Sequence, residues 1–159
     1  SDVYKRQLKR RIIMSKKLVE FLNNHLSDLQ VLYTKIHNYH WNVEGNAFFT
    51  LHPALEAEYN KIAEQLDEVA ERVLQLGERP LATLEDYLKH AKIKEAKSEG
   101  IKSEALVKSV LADYEYMEKS LRDGLKLAEE AGDKVSEDMF TGMLAGYEKT
   151  VWMLKAYSK

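Results

Sequence analysis

The side chains able to do chemistry in this sequence are few. Cysteine is absent, which excludes disulfides, thiolate zinc sites and cysteine nucleophiles. Any metal must therefore be held by imidazole and carboxylate. The five histidines are His25, His37, His40, His52 and His90, and none has a glutamate three residues before it. A di-iron centre inside one four-helix bundle uses Glu-x-x-His pairs on two helices, so that arrangement is missing. Glycine-rich phosphate loops, nucleophile elbows and His-Glu-x-x-His zinc motifs are missing too. What remains is His40 on an apolar stripe, His52 immediately before Pro53, and the pair Asp67 and Glu71, four residues apart on one helix face. Taken singly, each has an ordinary reading. His40 could be a packing histidine, His52 a helix-start cap, and Asp67 with Glu71 a solvated surface beside Lys61 or Arg72. Taken as a ligand set, imidazole with carboxylate suits Fe(II) and would also bind zinc.

The elements that must position these residues read as helices. Leu18, Leu22, Leu26, Leu29, Tyr33, Ile36, His40 and Val43 recur at steps of three and four, and Gly45 ends that stretch. A second stretch has Pro53 in its first turn and runs through Leu55, Tyr59, Ile62, Leu66, Val69 and Val73 to Gly77. A third begins near Ser103 and carries Leu106, Val110, Tyr114, Met117 and Leu121 toward Gly132. A fourth opens at Ser136, with Phe140, Leu144, Tyr147 and Val151 on its buried face. The connection over residues 78–102 is too long for plain loop. Thr83-Leu-Glu-Asp86 resembles a capping box and predicts a short helix at about Leu84–His90. The expected fold class is all-α: a ferritin-like four-helix bundle with a short extra helix in the connection between the second and third helices. No stretch alternates long enough for a strand.

Composition fits that reading. Of 159 residues, 45% are hydrophobic and 31% charged, with only two prolines, as a helical domain with charged outer faces requires. The net charge of -2 gives no global reason to seek nucleic acid. No apolar run approaches the ~20 residues of a membrane span, and no signal peptide is legible. The expected location is the cytoplasm, with the bacterial nucleoid as the alternative. Residues 1–13 hold Lys5, Arg6, Lys9, Arg10 and Arg11 against Asp2 alone. They are expected to be a non-native or disordered extension, with a single domain over residues 14–159 that starts at Met14.

Three words in the sequence carry a resemblance. His40-Trp-Asn-Val-Glu-Gly45, Phe48-Phe49-Thr-Leu-His52 and Leu66-Asp67-Glu-Val-Ala-Glu71-Arg72 resemble, in composition and spacing, the signature of the Dps family of mini-ferritins. The resemblance extends over nearly all of residues 14–159. It implies that His40, His52, Asp67 and Glu71 are ferroxidase ligands. Glu56 falls where the family often has an aspartate that reaches the metal, and it is one methylene longer. His37 would stand behind the ligands or simply pack. Trp41 and Trp152 would take up stray oxidising equivalents or fill the core. Glu129, Asp133 and Asp138 would line an iron-admitting pore, interrupted by Lys134, or would cap helices. The implied activity is oxidation of Fe(II) by hydrogen peroxide, or more slowly by dioxygen. Storage of the ferric mineral would follow in a hollow homo-oligomer, expected to be a dodecamer built from two-fold dimers. The alternative is a DNA-compacting nucleoid protein. No tight DNA binding is expected of residues 14–159, where only Lys16 and Lys17 precede the first helix.

Given that ligand list, helix geometry adds a condition. Asp67 lies about 21 Å along a rigid helix from Pro53, and Glu71 about 27 Å. Ligands sit about 2 Å from a metal, so one chain cannot bring all four to one ion. A two-fold axis crossing the second helix near Tyr59–Ile62 would place His52 of one chain beside Asp67 and Glu71 of the other.

Overall fold

A computed structural model describes all residues, Ser1–Lys159, and contains helices α1 (Asp2–Asn42), α2 (Phe48–Gln75), α3 (Leu84–His90), α4 (Ser103–Ala131) and α5 (Lys134–Tyr157). The directions of the four long helices follow from side-chain pairs. Tyr39 bonds Ser109 and Tyr116 bonds Asp28, so α1 and α4 are antiparallel. Arg72 bonds Ser136 and Tyr147 bonds Gln65, so α2 and α5 are antiparallel. The Leu22, Leu29, Leu32, Ile36, Ile62, Val69, Val73, Met117, Leu121 and Phe140 side chains fill the space between them and are essentially inaccessible. This is the four-helix bundle that the periodicity predicts. No helix is long and apolar enough to cross a membrane.

The crossover from α2 to α4 climbs the outside of α1, one helix side chain at a time. The Leu81 amide donates to Asn23, the Lys92 and Ile93 amides donate to Asp28, and Asn38 donates to the carbonyls of Ala96 and Lys97. Asp28 is thereby satisfied although almost wholly buried. α3 lies within this crossover over the predicted residues, and Thr83 caps it by accepting from the Asp86 amide. The crossover ends in a two-residue parallel ladder, Val43–Glu44 (β1) with Ile101–Lys102 (β2). Periodicity could not show so short a pairing; its effect is to fix the C-terminal end of α1 beside the start of α4.

Two boundaries differ from expectation. α2 starts at Phe48, so Pro53 is its sixth residue rather than a first-turn residue. Gly45, at φ 106, turns the chain, and the Phe48 ring stacks on His52 one helical turn later at 4.8 Å. Pro53 carries no N–H for the Phe49 carbonyl, and Phe49 lies on an exposed face. α5 starts at Lys134 rather than Ser136, because the capping side chain is Asp133. Residues 2–13, expected to be non-native or disordered, form the exposed first turns of α1. Arg10 there pairs with Glu130 at 3.4 Å.

One buried ring makes no hydrogen bond. His25 is stacked on Phe21, and neither ring nitrogen makes a hydrogen bond. Burial lowers its pKa to about 4, so it is a neutral core residue at physiological pH.

Candidate metal centre

His40 and His52 are brought together by the tight turn between α1 and α2. His40 belongs to the last turn of α1, where backbone carbonyls have no helical donor. The His52 ring fills that need: its Nδ1 lies 2.7 Å from the His40 carbonyl oxygen. The reciprocal contact joins His40 Nδ1 to the His52 carbonyl oxygen at 2.6 Å. The rings stack with centroids 3.7 Å apart and planes 11° from parallel. A carbonyl only accepts, so each Nδ1 carries the proton and donates. Each Nε2 is left with a free lone pair, the form of imidazole that binds metals.

No third ligand joins them within the chain. No group of three or more histidine and carboxylate side chains lies close enough to hold a metal. Asp67 and Glu71 stand on α2 fifteen and nineteen residues beyond His52, exposed on its outer face. Glu56 is exposed one turn beyond His52, and its Oε1 accepts from the Tyr59 hydroxyl at 3.3 Å. The structure thus makes the histidine half of the expected ligand set and separates it from the carboxylate half.

The aromatic residues sort differently from one another. His37 donates from Nδ1 to the Tyr33 carbonyl at 2.8 Å and stacks on Tyr59 at 3.8 Å. Trp41 lies 5.3 Å from His37 and is 67% exposed, so it does not fill this chain's core. Trp152, 66% exposed, faces a groove with Glu118, Arg122, Glu148 and Lys155, away from the histidines. Tyr59 was legible only as an apolar-stripe residue, yet it touches His37 and meets His40 edge-on at 5.2 Å.

At the other end of α2, the α4–α5 turn carries the acids expected to admit iron. Asp133 is bonded within the turn: Arg72 donates to it at 2.7 Å, as do the Ser136 amide at 3.0 Å and the Ser136 hydroxyl at 2.6 Å. Burial alone would raise its carboxyl pKa. The Ser136 hydroxyl and amide and the Arg72 guanidinium outweigh that and hold it below the usual value. Arg72 also donates to Ser136 Oγ at 2.9 Å. Glu129 is exposed, and Asp138 is exposed beside Lys134 at 3.6 Å. Asp138 shares a groove with Glu68 and Glu71. Two charged groups escaped sequence reading entirely. Lys35 and Asp113 form a nearly buried ion pair at 2.8 Å between α1 and α4; each falls among apolar neighbours at helical spacing, which was the available signal.

Residues 19–159 match the ferritin-like domain family. A DNA protection during starvation protein 2 of Bacillus anthracis is 40% identical over 144 residues, 91% of this chain and 98% of its own. The corresponding Helicobacter pylori protein is 39% identical over 141 residues, 89% of this chain and 98% of its own. Among solved structures, a Dps protein from Bacillus brevis superposes with a TM-score of 0.89 at 40% identity, covering 92% of this chain and 97% of that one. A Vibrio cholerae Dps protein, described as one of the ferritin-like diiron-carboxylate proteins, gives 0.88 at 37% identity and 92% of both chains. The chain belongs to the Dps family of ferritin-like proteins.

Proposed function

We propose that two copies of this chain build a ferroxidase centre that neither holds alone. His40 and His52 of one copy face Asp67 and Glu71 of the other, with Glu56 as a further carboxylate, and Fe(II) is the substrate. One observation carries the reading: the reciprocal His40–His52 clamp presents two free Nε2 atoms while no third ligand lies within reach in the same chain. Two Fe(II) ions each give one electron to hydrogen peroxide. With two water molecules they yield two ferric oxyhydroxide units and four protons, and no hydroxyl radical leaves. Dioxygen is the slower oxidant. The histidines bind through neutral nitrogen, the carboxylates offset cationic charge, and the few protein ligands leave positions for the oxidant. The mineral collects inside a closed homo-oligomer, taken to be a dodecamer of two-fold dimers, so that the protein limits oxidative damage in the cytoplasm.

Anaerobic loading with Fe(II), followed by peroxide, tests the activity. Wild type should give rapid ferric absorbance with little hydroxyl radical, and the His40→Ala, Asp67→Ala double variant only the uncatalysed rate. Equal rates for the two would mean that the ligand assignment is wrong.

A second activity, DNA binding, has one observation in its favour: Lys5, Arg6, Lys9, Arg10 and Arg11 are exposed along the first turns of α1. Any such binding belongs to this segment. At about 50 mM salt, where phosphate contacts are strongest, residues 14–159 should leave DNA unretarded in a gel. Retardation would move the DNA surface onto the bundle itself.

A further inference from the structure

We propose that Tyr59 is a positioning residue of the metal centre: its hydroxyl holds Glu56 as the ligand that retains a second metal ion. This rests on the shared centre described above and adds a division of labour within it.

The geometry starts from the spacing on α2. Glu56 is four residues after His52 and Tyr59 three after Glu56, so the three share one face. An exposed glutamate has three side-chain torsions to restrain before it can hold an ion, and ordering them costs free energy. The Tyr59 hydroxyl, 3.3 Å from Glu56 Oε1, supplies that restraint and leaves Oε2 without an intrachain partner. The hydroxyl can do so because the ring cannot swing. His37 stacks on it at 3.8 Å and 20°, Tyr33 meets it edge-on at 6.3 Å, and His40 edge-on at 5.2 Å. His37 is itself fixed by its bond to the Tyr33 carbonyl. The chain of contacts therefore runs from α1 through His37 to Tyr59 and ends on Glu56. His37 acts in it as a wall for Tyr59 rather than as a ligand. Glutamate suits this position because its length brings the carboxylate within reach of the hydroxyl.

The test is an anaerobic Co(II) titration of the whole protein, read by the visible absorption of bound cobalt. Wild type should bind two ions per centre, one tightly and one more weakly. Tyr59→Phe keeps the ring and removes only the hydroxyl. It should leave the tight ion unchanged and weaken the second about tenfold, the loss expected for one hydrogen bond to a charged group. Glu56→Gln should abolish the second ion, and adding Tyr59→Phe to Glu56→Gln should change nothing more. A purely structural role for Tyr59 would instead move both ions together, or neither, and either result overturns the proposal. A His52→Ala variant separates the two levels. If it binds both ions as wild type does, the shared centre falls and this inference with it. If it loses the tight ion while Tyr59→Phe binds both normally, only the role of Tyr59 falls.

Discussion

The two ends of α2 treat charge in opposite ways. At the Arg72 end, the guanidinium, the Asp133 carboxylate and the Ser136 hydroxyl satisfy one another inside the chain. At the His52 end, two imidazoles use only one nitrogen each on the backbone and hold the other free. The carboxylates that could answer them stand exposed further along the helix. Buried polar groups that close on themselves hold a fold together. Polar groups fixed in direction yet left incomplete are what a ligand or a second copy completes. Within the chain Asp133 is a helix cap and an ion-pair partner.

The contrast can be broken by mutation, and the largest effect on stability belongs to the closed end. Arg72→Ala leaves a mostly buried carboxylate without its cation and should cost about 3 kcal/mol in denaturant unfolding. The pH dependence has a definite sign. Because the folded carboxyl titrates below its ordinary value, its contribution is present above the usual carboxylate range. It is lost as pH falls from about 4 through the still lower folded value. Arg72→Ala should therefore flatten the acid limb of the stability curve. Unchanged stability in that variant would show that the network is not what secures the turn.

The smaller effect concerns the acid that stays open at the same end. Asp138→Asn should leave stability within about 0.5 kcal/mol, as for exposed pairs. It should slow iron uptake a few-fold at low ionic strength. That slowing should vanish at high salt, where exposed charge is screened within a few ångströms. Uptake that is insensitive to the substitution at every salt concentration would make Asp138 a helix-terminus residue only.

Much of this contrast was legible in the sequence, and the parts that were not share a cause. The four long helices follow from apolar steps of three and four, and α3 from Thr83 with Asp86. His40 and His52 are legible as types, but their mutual clamp is not, because it depends on the turn that brings the His40 carbonyl, at the end of α1, and the His52 carbonyl, in α2, within reach of the opposite rings. Pro53 favours a first turn by intrinsic preference, yet α2 begins at Phe48, where the Phe48 ring stacks on His52. The residue types of Asp28, Lys35 and Asp113 carry no sign that these side chains are interior. Only tertiary partners make them interior: the crossover amides for Asp28, and each other for the ion pair. Local patterns carry local structure. Satisfaction of buried charge is a property of the assembled bundle.

The shared centre is tested most directly by subunit exchange. A His40→Ala, His52→Ala variant and an Asp67→Ala, Glu71→Ala variant should each be inactive in peroxide-driven iron oxidation. After mixing, with exchange verified by mass spectrometry of differently labelled chains, a mixed dimer holds one centre with every ligand and one that keeps Glu56 alone. The account predicts that activity returns, at half the wild-type rate for each mixed dimer. Full exchange with no recovery of oxidation would contradict it.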